Sequence, residues 1–324
     1  GYTDFTDGTF DDPTIPNYDE FNFAGRTPNP GSSYAIKDSW DDVIITASAN
    51  WAFTDNNRAY VNYSEGFRSG GFSIRYAGAD ASGAVYQPED GWQIEGGLKN
   101  DFLDGRLRAN LAYFFLERNG EQFSSVITLP PGSIPGTTTI VNNGGTTQIQ
   151  GVEAEVQWLI NDEFTLAVNG GFIDVENKEF LIACELVDGC FNGDPIGTLR
   201  QEGGNDLAAS PDYTVSVILA YDKQIGPGVF SANVGYRYNG EFIITSTGGG
   251  PDQEIRGGKD ELVDARIAYE WQLNGGDSLT FSVYGKNLTD TEYRQSALFL
   301  GAFETGFQDW AAPRTYAAQL EYRH

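Results

Sequence analysis

SLTFSVYGKNLTDTEY, residues 278–293, and APRTYAAQLEYRH, residues 312–324, decide the fold. Leu279, Phe281 and Val283 alternate with Thr280, Ser282 and Tyr284. Tyr316, Ala318, Leu320 and Tyr322 alternate with Ala317, Gln319, Glu321 and Arg323. A period of two marks a strand with unlike faces, here one aromatic and aliphatic and the other carrying full charges. A soluble sandwich shares this pattern, so alternation alone leaves the solvent undecided.

Upstream, the same rhythm recurs. Val43, Ile45, Ala47, Ala49, Trp51 and Phe53 share one parity, as do Val61 and Tyr63. Trp92, Ile94, Gly96 and Leu98 oppose Gln93, Glu95, Gly97 and Lys99. Further apolar stripes start at Leu107, Val152, Phe164, Tyr213, Phe230 and Val263. This predicts about eleven strands of roughly ten residues, the length a tilted membrane strand needs.

The connections alternate long and short. The short ones are TDNN (54–57), FLDG (102–105), NDE (161–163), KQIGPG (223–228) and QLNGGD (272–277). The long ones, such as 67–91, 119–147, 176–210 and 241–260, read as irregular Gly-, Pro- and Thr-rich surface segments. Transmembrane barrels have short turns at one end and long loops at the other. A soluble sandwich has no reason to keep its long loops at one end. Glu95, Lys99, Glu153, Glu155, Asp264, Arg266 and Glu270 lie opposite the apolar stripes, as a wetted lumen requires. Trp51, Phe53, Trp158, Tyr221, Phe230 and Trp271 lie on the stripes beside the short turns, where an interfacial aromatic girdle belongs. The expectation is an all-β, antiparallel transmembrane barrel. An odd strand count in a family of even-numbered barrels makes these strands part of a larger one.

Composition narrows the partners. The 324 residues carry a formal charge of −26, which argues against nucleic acid, since phosphate recognition needs clustered Lys and Arg. No apolar run approaches the roughly 20 residues of a spanning helix. No secretory leader pattern opens the chain and no Met occurs, so the chain reads as a processed or partial product. Cys184 and Cys190 close a short loop that suits a disulfide in an oxidising compartment, with free thiols as the alternative. A metal site on this pair lacks partners, because the sole His is His324. That lone terminal His also leaves no Ser–His or Cys–His arrangement, so no enzyme is expected.

Three stretches together resemble the TonB-dependent outer-membrane receptors. VYGKNLTDTEY (283–293) with PRTYAAQLEYR (313–323) is similar to the family's C-terminal signature. YVNYSEGFRSGGF (60–72) and LKNDFLDGRLRANLAYFF (98–115) look like its mid-barrel motifs. The resemblance runs from about Trp40 to the end. It implies a 22-stranded barrel of which these strands are the second half, with residues 1–39 an extracellular loop region and 40–324 barrel. It also implies a plug domain and a TonB box, neither visible in this chain. The implied function is TonB-energised uptake of a scarce solute, a ferric siderophore or other large nutrient, across the outer membrane of a Gram-negative bacterium. The implied partners are outer-membrane lipid, the TonB complex and a small-molecule ligand. A passive porin-like or structural barrel and a secreted soluble β protein are the alternatives. His324 stands at the parity position where family members end in an aromatic residue.

The candidate ligand contacts are Arg68, at a strand-to-loop junction, and the last-loop aromatics Phe299, Phe303, Phe307 and Trp310. Each has a plain structural reading too: a rim residue fixing a Gly-rich turn, and rings that pack the loops together. Lys286, Asn287 and Asp290 are expected to shape the last extracellular turn. No cofactor is expected. Asp4, Asp7, Asp11, Asp12, Asp19 and Glu20 offer oxygen ligands for a loop-bound calcium ion but lack the spacing of a calcium loop, so solvation is the alternative.

Overall fold

The computed structural model describes residues 37–73, 85–128, 137–178, 180–183, 199–202, 211–246, 254–300 and 305–324. β1 (Thr46–Ala52) and β2 (Asn57–Arg68) form the first hairpin. A small ribbon of β3 (Gly71–Phe72) and β4 (Val85–Tyr86) stands in the connection to β5 (Glu89–Phe102). After β6 (Leu107–Asn119), a ribbon of β7 (Gln122–Thr128) and β8 (Thr137–Asn143) leads to β9 (Thr146–Leu159). β10 (Phe164–Asn177) is followed by ribbon β11 (Phe180–Ala183) with β12 (Leu199–Glu202), then β13 (Tyr213–Ile225). β14 (Gly228–Asn239) precedes ribbon β15 (Phe242–Ser246) with β16 (Glu254–Gly257), then β17 (Asp260–Gln272). Last come β18 (Ser278–Lys286), ribbon β19 (Arg294–Leu300) with β20 (Thr305–Trp310), and β21 (Thr315–Arg323).

Eleven of these strands form one antiparallel sheet in the order β1-β2-β5-β6-β9-β10-β13-β14-β17-β18-β21. The register carries the apolar parity intact across it. Ile94 faces Phe115, Val152 faces Tyr113 and Phe172, Val217 faces Val168 and Tyr236, and Phe281 faces Tyr269 and Leu320. This row is open to its surroundings: Trp51 is 69 %, Tyr316 69 % and Leu320 68 % exposed. Among the described residues only Ile243, Leu262 and Ala268 are buried apolar side chains. A sandwich would bury one face of its sheet, and no described element covers this one. Near the short turns its rings meet: Trp51 with Phe53, Phe164 with Tyr221, Tyr221 with Phe230 and Tyr269 with Trp271.

The short turns follow their local chemistry. Leu103, Asp104 and Gly105 all adopt positive φ, reversing the chain from β5 to β6 within four residues. Asn161 accepts from the backbone N–H groups of Glu163 and Phe164, a local Asx bridge between β9 and β10. Arg106 donates to the carbonyls of Leu159 and Ile160, tying that turn to its neighbour.

The long connections correct the sequence expectation. Segments read as irregular each carry a two-stranded ribbon. Glycines break the main strands and let the chain resume at a new angle. Gly120, at φ +62°, separates β6 from β7, and its N–H bonds the Gly145 carbonyl. Gly240 plays the same part between β14 and β15, donating to the Tyr213 carbonyl at 2.8 Å. The signal that was present, β-branched runs such as Ile-Ile-Thr at 243–245, was masked by the surrounding Gly and Thr. The first stripe also starts later than its pattern. Val43 and Ile45 keep the parity, yet the Ile45 N–H donates to the Glu65 carboxylate and pairing begins at Thr46.

Among the described residues β1 pairs only with β2, and β21 only with β18, so the sheet has two edges.

Candidate functional site

The face opposite the apolar row is concave and polar. One lateral row reads Arg58, Lys99, Asn110, Glu155, Asn169, Ser216 and Arg237, each paired in register with the next. The row beside it reads Tyr60, Gly97, Ala112, Glu153, Gly171, Thr214, Asn239 and Asp260. All of them except Arg58, Gly97 and Asp260 line a concavity of about 590 Å³. Glu153 and Glu155 thus sit on the wetted side, while Val152 and Trp158 lie on the opposite parity among exposed apolar residues.

Hydrogen bonds hold these side chains against the wall. The Tyr60 hydroxyl donates to Glu95 at 2.6 Å, and Asn110 donates to Glu155 at 3.1 Å. Arg108 donates to Asp101 at 2.8 Å. Asp260 is 2 % exposed; it accepts from Asn239 at 2.9 Å and lies 3.8 Å from the Arg237 guanidinium. A carboxylate this deep needs such partners to offset its lost hydration. Two rings complete the wall where glycine leaves room. Tyr60 lies over Gly97 and Phe114 over Gly151, at distances that exclude a β-carbon.

Where the long connections begin, a polar knot ties the rim. Arg68 closes β2 opposite Glu89, with 3.8 Å between guanidinium and carboxylate. Glu89 also accepts the Gln122 N–H, and Gln122 donates to the carbonyls of Ser69 and Gln87. Asn143 donates to Gln87 and Gly120 carbonyls and accepts the Gln87 N–H. Arg68 therefore occupies the rim position that the sequence suggested, within a network that fixes the loop. Gln122 and Asn143 were missed, because single amides inside Gly-rich segments carry no periodic signal. At the rim between β14 and β17 Lys259 pairs with Glu241 and holds its carboxyl below the usual carboxylate range.

The last connection is organised by Asn287, buried and at φ +51°. Its side chain donates to the carbonyls of Thr291 and Ala312 and accepts the Thr291 N–H. Its own N–H donates to Asp264. Asp290 accepts the Arg314 N–H and pairs with the Arg314 guanidinium. The turn-shaping expected of Asn287 and Asp290 is what the structure contains, and it reaches further, binding β17, β18 and β21 together.

Above it, Phe307 and Trp310 are both exposed but do not share a face. Phe307 pairs with Leu298, whereas Trp310 pairs with Arg294, whose guanidinium lies 5.0 Å from the indole ring. Arg294 also donates to Gln308 and to the Arg256 carbonyl, linking the last ribbon to the one before it. Phe299 pairs with Gly306 in the same ribbon, and its side chain lies outside the described residues. Phe303, Cys184, Cys190 and the acidic set Asp4, Asp7, Asp11, Asp12, Asp19 and Glu20 also lie outside them. Among the described residues no cluster of His, Cys, Asp and Glu could hold a metal ion. His324 bonds Asp277 at the short-turn end of the sheet.

Comparison with known proteins gives one family. A family model described as TonB dependent receptor-like, beta-barrel, matches residues 17–288. The pesticin receptor of Yersinia pestis is 24 % identical over 262 residues, covering 80 % of this chain and 33 % of that protein. The metal-pseudopaline receptor CntO of Pseudomonas aeruginosa is 30 % identical over 117 residues, 36 % of this chain and 14 % of that protein. Among solved structures, the ferric yersiniabactin uptake receptor FyuA from Yersinia pestis superposes with a TM-score of 0.61 at 19 % identity, over 84 % of this chain and 36 % of that one. BauA, the ferric preacinetobactin receptor from Acinetobacter baumannii, gives 0.57 at 18 % identity, over 86 % and 36 %. These likenesses carry the fold. The chain spans about a third of the length of the pesticin receptor and of FyuA.

Proposed function

Because the chain belongs to the TonB-dependent receptor β-barrel family, we propose that it forms part of an outer-membrane receptor for energised uptake of a scarce, chelated metal. The observation that carries this reading is the pair of unlike faces running unbroken across eleven strands. In this reading lipid meets the apolar row and water the polar one, and the ribboned connections lie at a single end. The related proteins named for ferric or metal-pseudopaline ligands support a ferric siderophore or similar metallophore as solute.

The open edges at β1 and β21 bear on the rest of the protein. In hydrocarbon each unpaired backbone group costs several kcal/mol. The chain spans about a third of its relatives, so in this reading the strands that close the barrel, a plug and a TonB-binding segment belong to the rest of the protein. Loop capture at the ribboned end, followed by passage along the polar wall, requires TonB as partner and a Gram-negative outer membrane as location.

The test is a deletion strain grown under metal limitation. Loss of accumulation of a radiolabelled ferric chelate, restored by the complete gene, supports the reading. Accumulation that is unchanged by deletion, or that persists without TonB, contradicts it; the second result favours a passive barrel.

A further inference from the structure

We propose that Arg58 and Lys99 form an anion-binding station on the polar wall, near the short-turn end, for solutes bearing carboxylate groups. The two residues stand directly opposite each other on β2 and β5. Like charges in that position destabilise a sheet. The chain holds 46 acidic residues, yet neither cation has a carboxylate partner among the described residues. Lys99 lies 5.3 Å from the centre of the Tyr60 ring, and Arg58 has only the small Ala52 beside it on β1. Arg108 adds a third cation to the same small concavity, against the one carboxylate of Asp101, with Asn56 and Asn110 as further hydrogen-bonding groups.

Three cations against Asp101, with Glu155 acting on Arg108 from the neighbouring strand, leave a net positive charge on this part of the wall of a strongly acidic protein. An anion with two or more carboxylates relieves the repulsion and takes charge-assisted hydrogen bonds from both side chains. The concavity shares Lys99 and Asn110 with the larger one beside it, so a solute moving along the wall reaches it directly. This inference rests on the uptake reading above.

The experiment uses the complete purified protein in detergent, with citrate as probe, followed by calorimetric titration at low salt. Citrate binds the native protein, and its affinity falls as ionic strength rises. Arg58→Gln combined with Lys99→Gln weakens citrate binding by about tenfold or more, as expected for losing contacts to charged groups. Its thermal midpoint without citrate stays level or rises, because the repulsion is gone. Arg266→Gln removes a wall cation flanked on its own strand by Asp264 and Glu270, and leaves citrate binding unchanged. The proposal is overturned if the double variant binds citrate like the native protein, or if Arg266→Gln loses as much. It is also overturned if the native protein ignores citrate while the double variant loses stability; the pair is then neutralised by a carboxylate elsewhere in the protein. Citrate titration needs no transport, so failure here is scored separately from failure of accumulation in cells.

Discussion

Tyr60 lays its ring over the bare backbone of Gly97: a β-carbon at Gly97 comes within 2.6 Å of the ring. The ring cannot yield freely, because its hydroxyl is bonded to Glu95. At neighbouring Gly96, a β-carbon meets nothing nearer than the Tyr60 carbonyl at 3.7 Å. Gly97→Ala is therefore expected to destabilise the barrel by about 1–3 kcal/mol, while Gly96→Ala stays close to neutral. Urea unfolding in micelles, read by the loss of the folded band on unheated gels, gives both values; equal effects contradict the account.

Asn287 supplies both a left-handed backbone conformation and four side-chain hydrogen bonds. Asn287→Gly keeps the first and loses the second, and Asn287→Ala loses both. The expected order of stability is native, then Gly, then Ala, with the last step about 1 kcal/mol. Limited proteolysis between Asn287 and Arg314 reports the same order as cleavage rates.

Val156 and Gln157 are neighbours on β9 with opposite solvents. Val156→Arg places a charge on the apolar face, two residues from the interfacial Trp158, at a cost of about 1 kcal/mol, and Gln157→Arg places it in water at little cost. Folding yield into vesicles separates the two. Indistinguishable yields contradict the assignment of faces.

Glu241 is held ionised by Lys259 at the rim. A carboxyl whose folded pKa is depressed contributes stability above its unfolded value, near pH 4.3. That contribution fades as pH falls through the lower, folded value. Protease cleavage of the connection between β14 and β17 is expected to rise as the pH falls below about 4. Lys259→Gln abolishes this step and raises cleavage at neutral pH. A step that survives the substitution points to another group.

The spacing of Cys184 and Cys190 predicts a bridge. Intact mass is expected to rise by two hydrogens on reduction, with no alkylation beforehand. Alkylation of the unreduced protein shows free thiols instead.

What could be read in the sequence follows from period. Alternation at Leu279–Val283 and Tyr316–Tyr322 needs no partner to be visible, and neither does the long-short spacing of connections. Asn287 was legible because an Asn in a short polar turn acts on its own backbone. The ribbons in the long connections were not, because glycines at 120 and 240 interrupt the parity that marks a strand. The faces taken by Phe307 and Trp310 were not legible either, because the loop showed no strand. Their three-residue separation put them on opposite faces once β20 formed.

The sequence by itself determined eleven strands, their two unlike faces and the end at which the loops gather, since a side chain's face is fixed by its parity along the strand. Only the tertiary structure decided which charges meet. Asp260 with Arg237, Arg68 with Glu89, and Arg58 opposite Lys99 with no carboxylate partner among the described residues all depend on the register between strands. That register is set by turn lengths and cross-strand hydrogen bonds, which no single strand encodes.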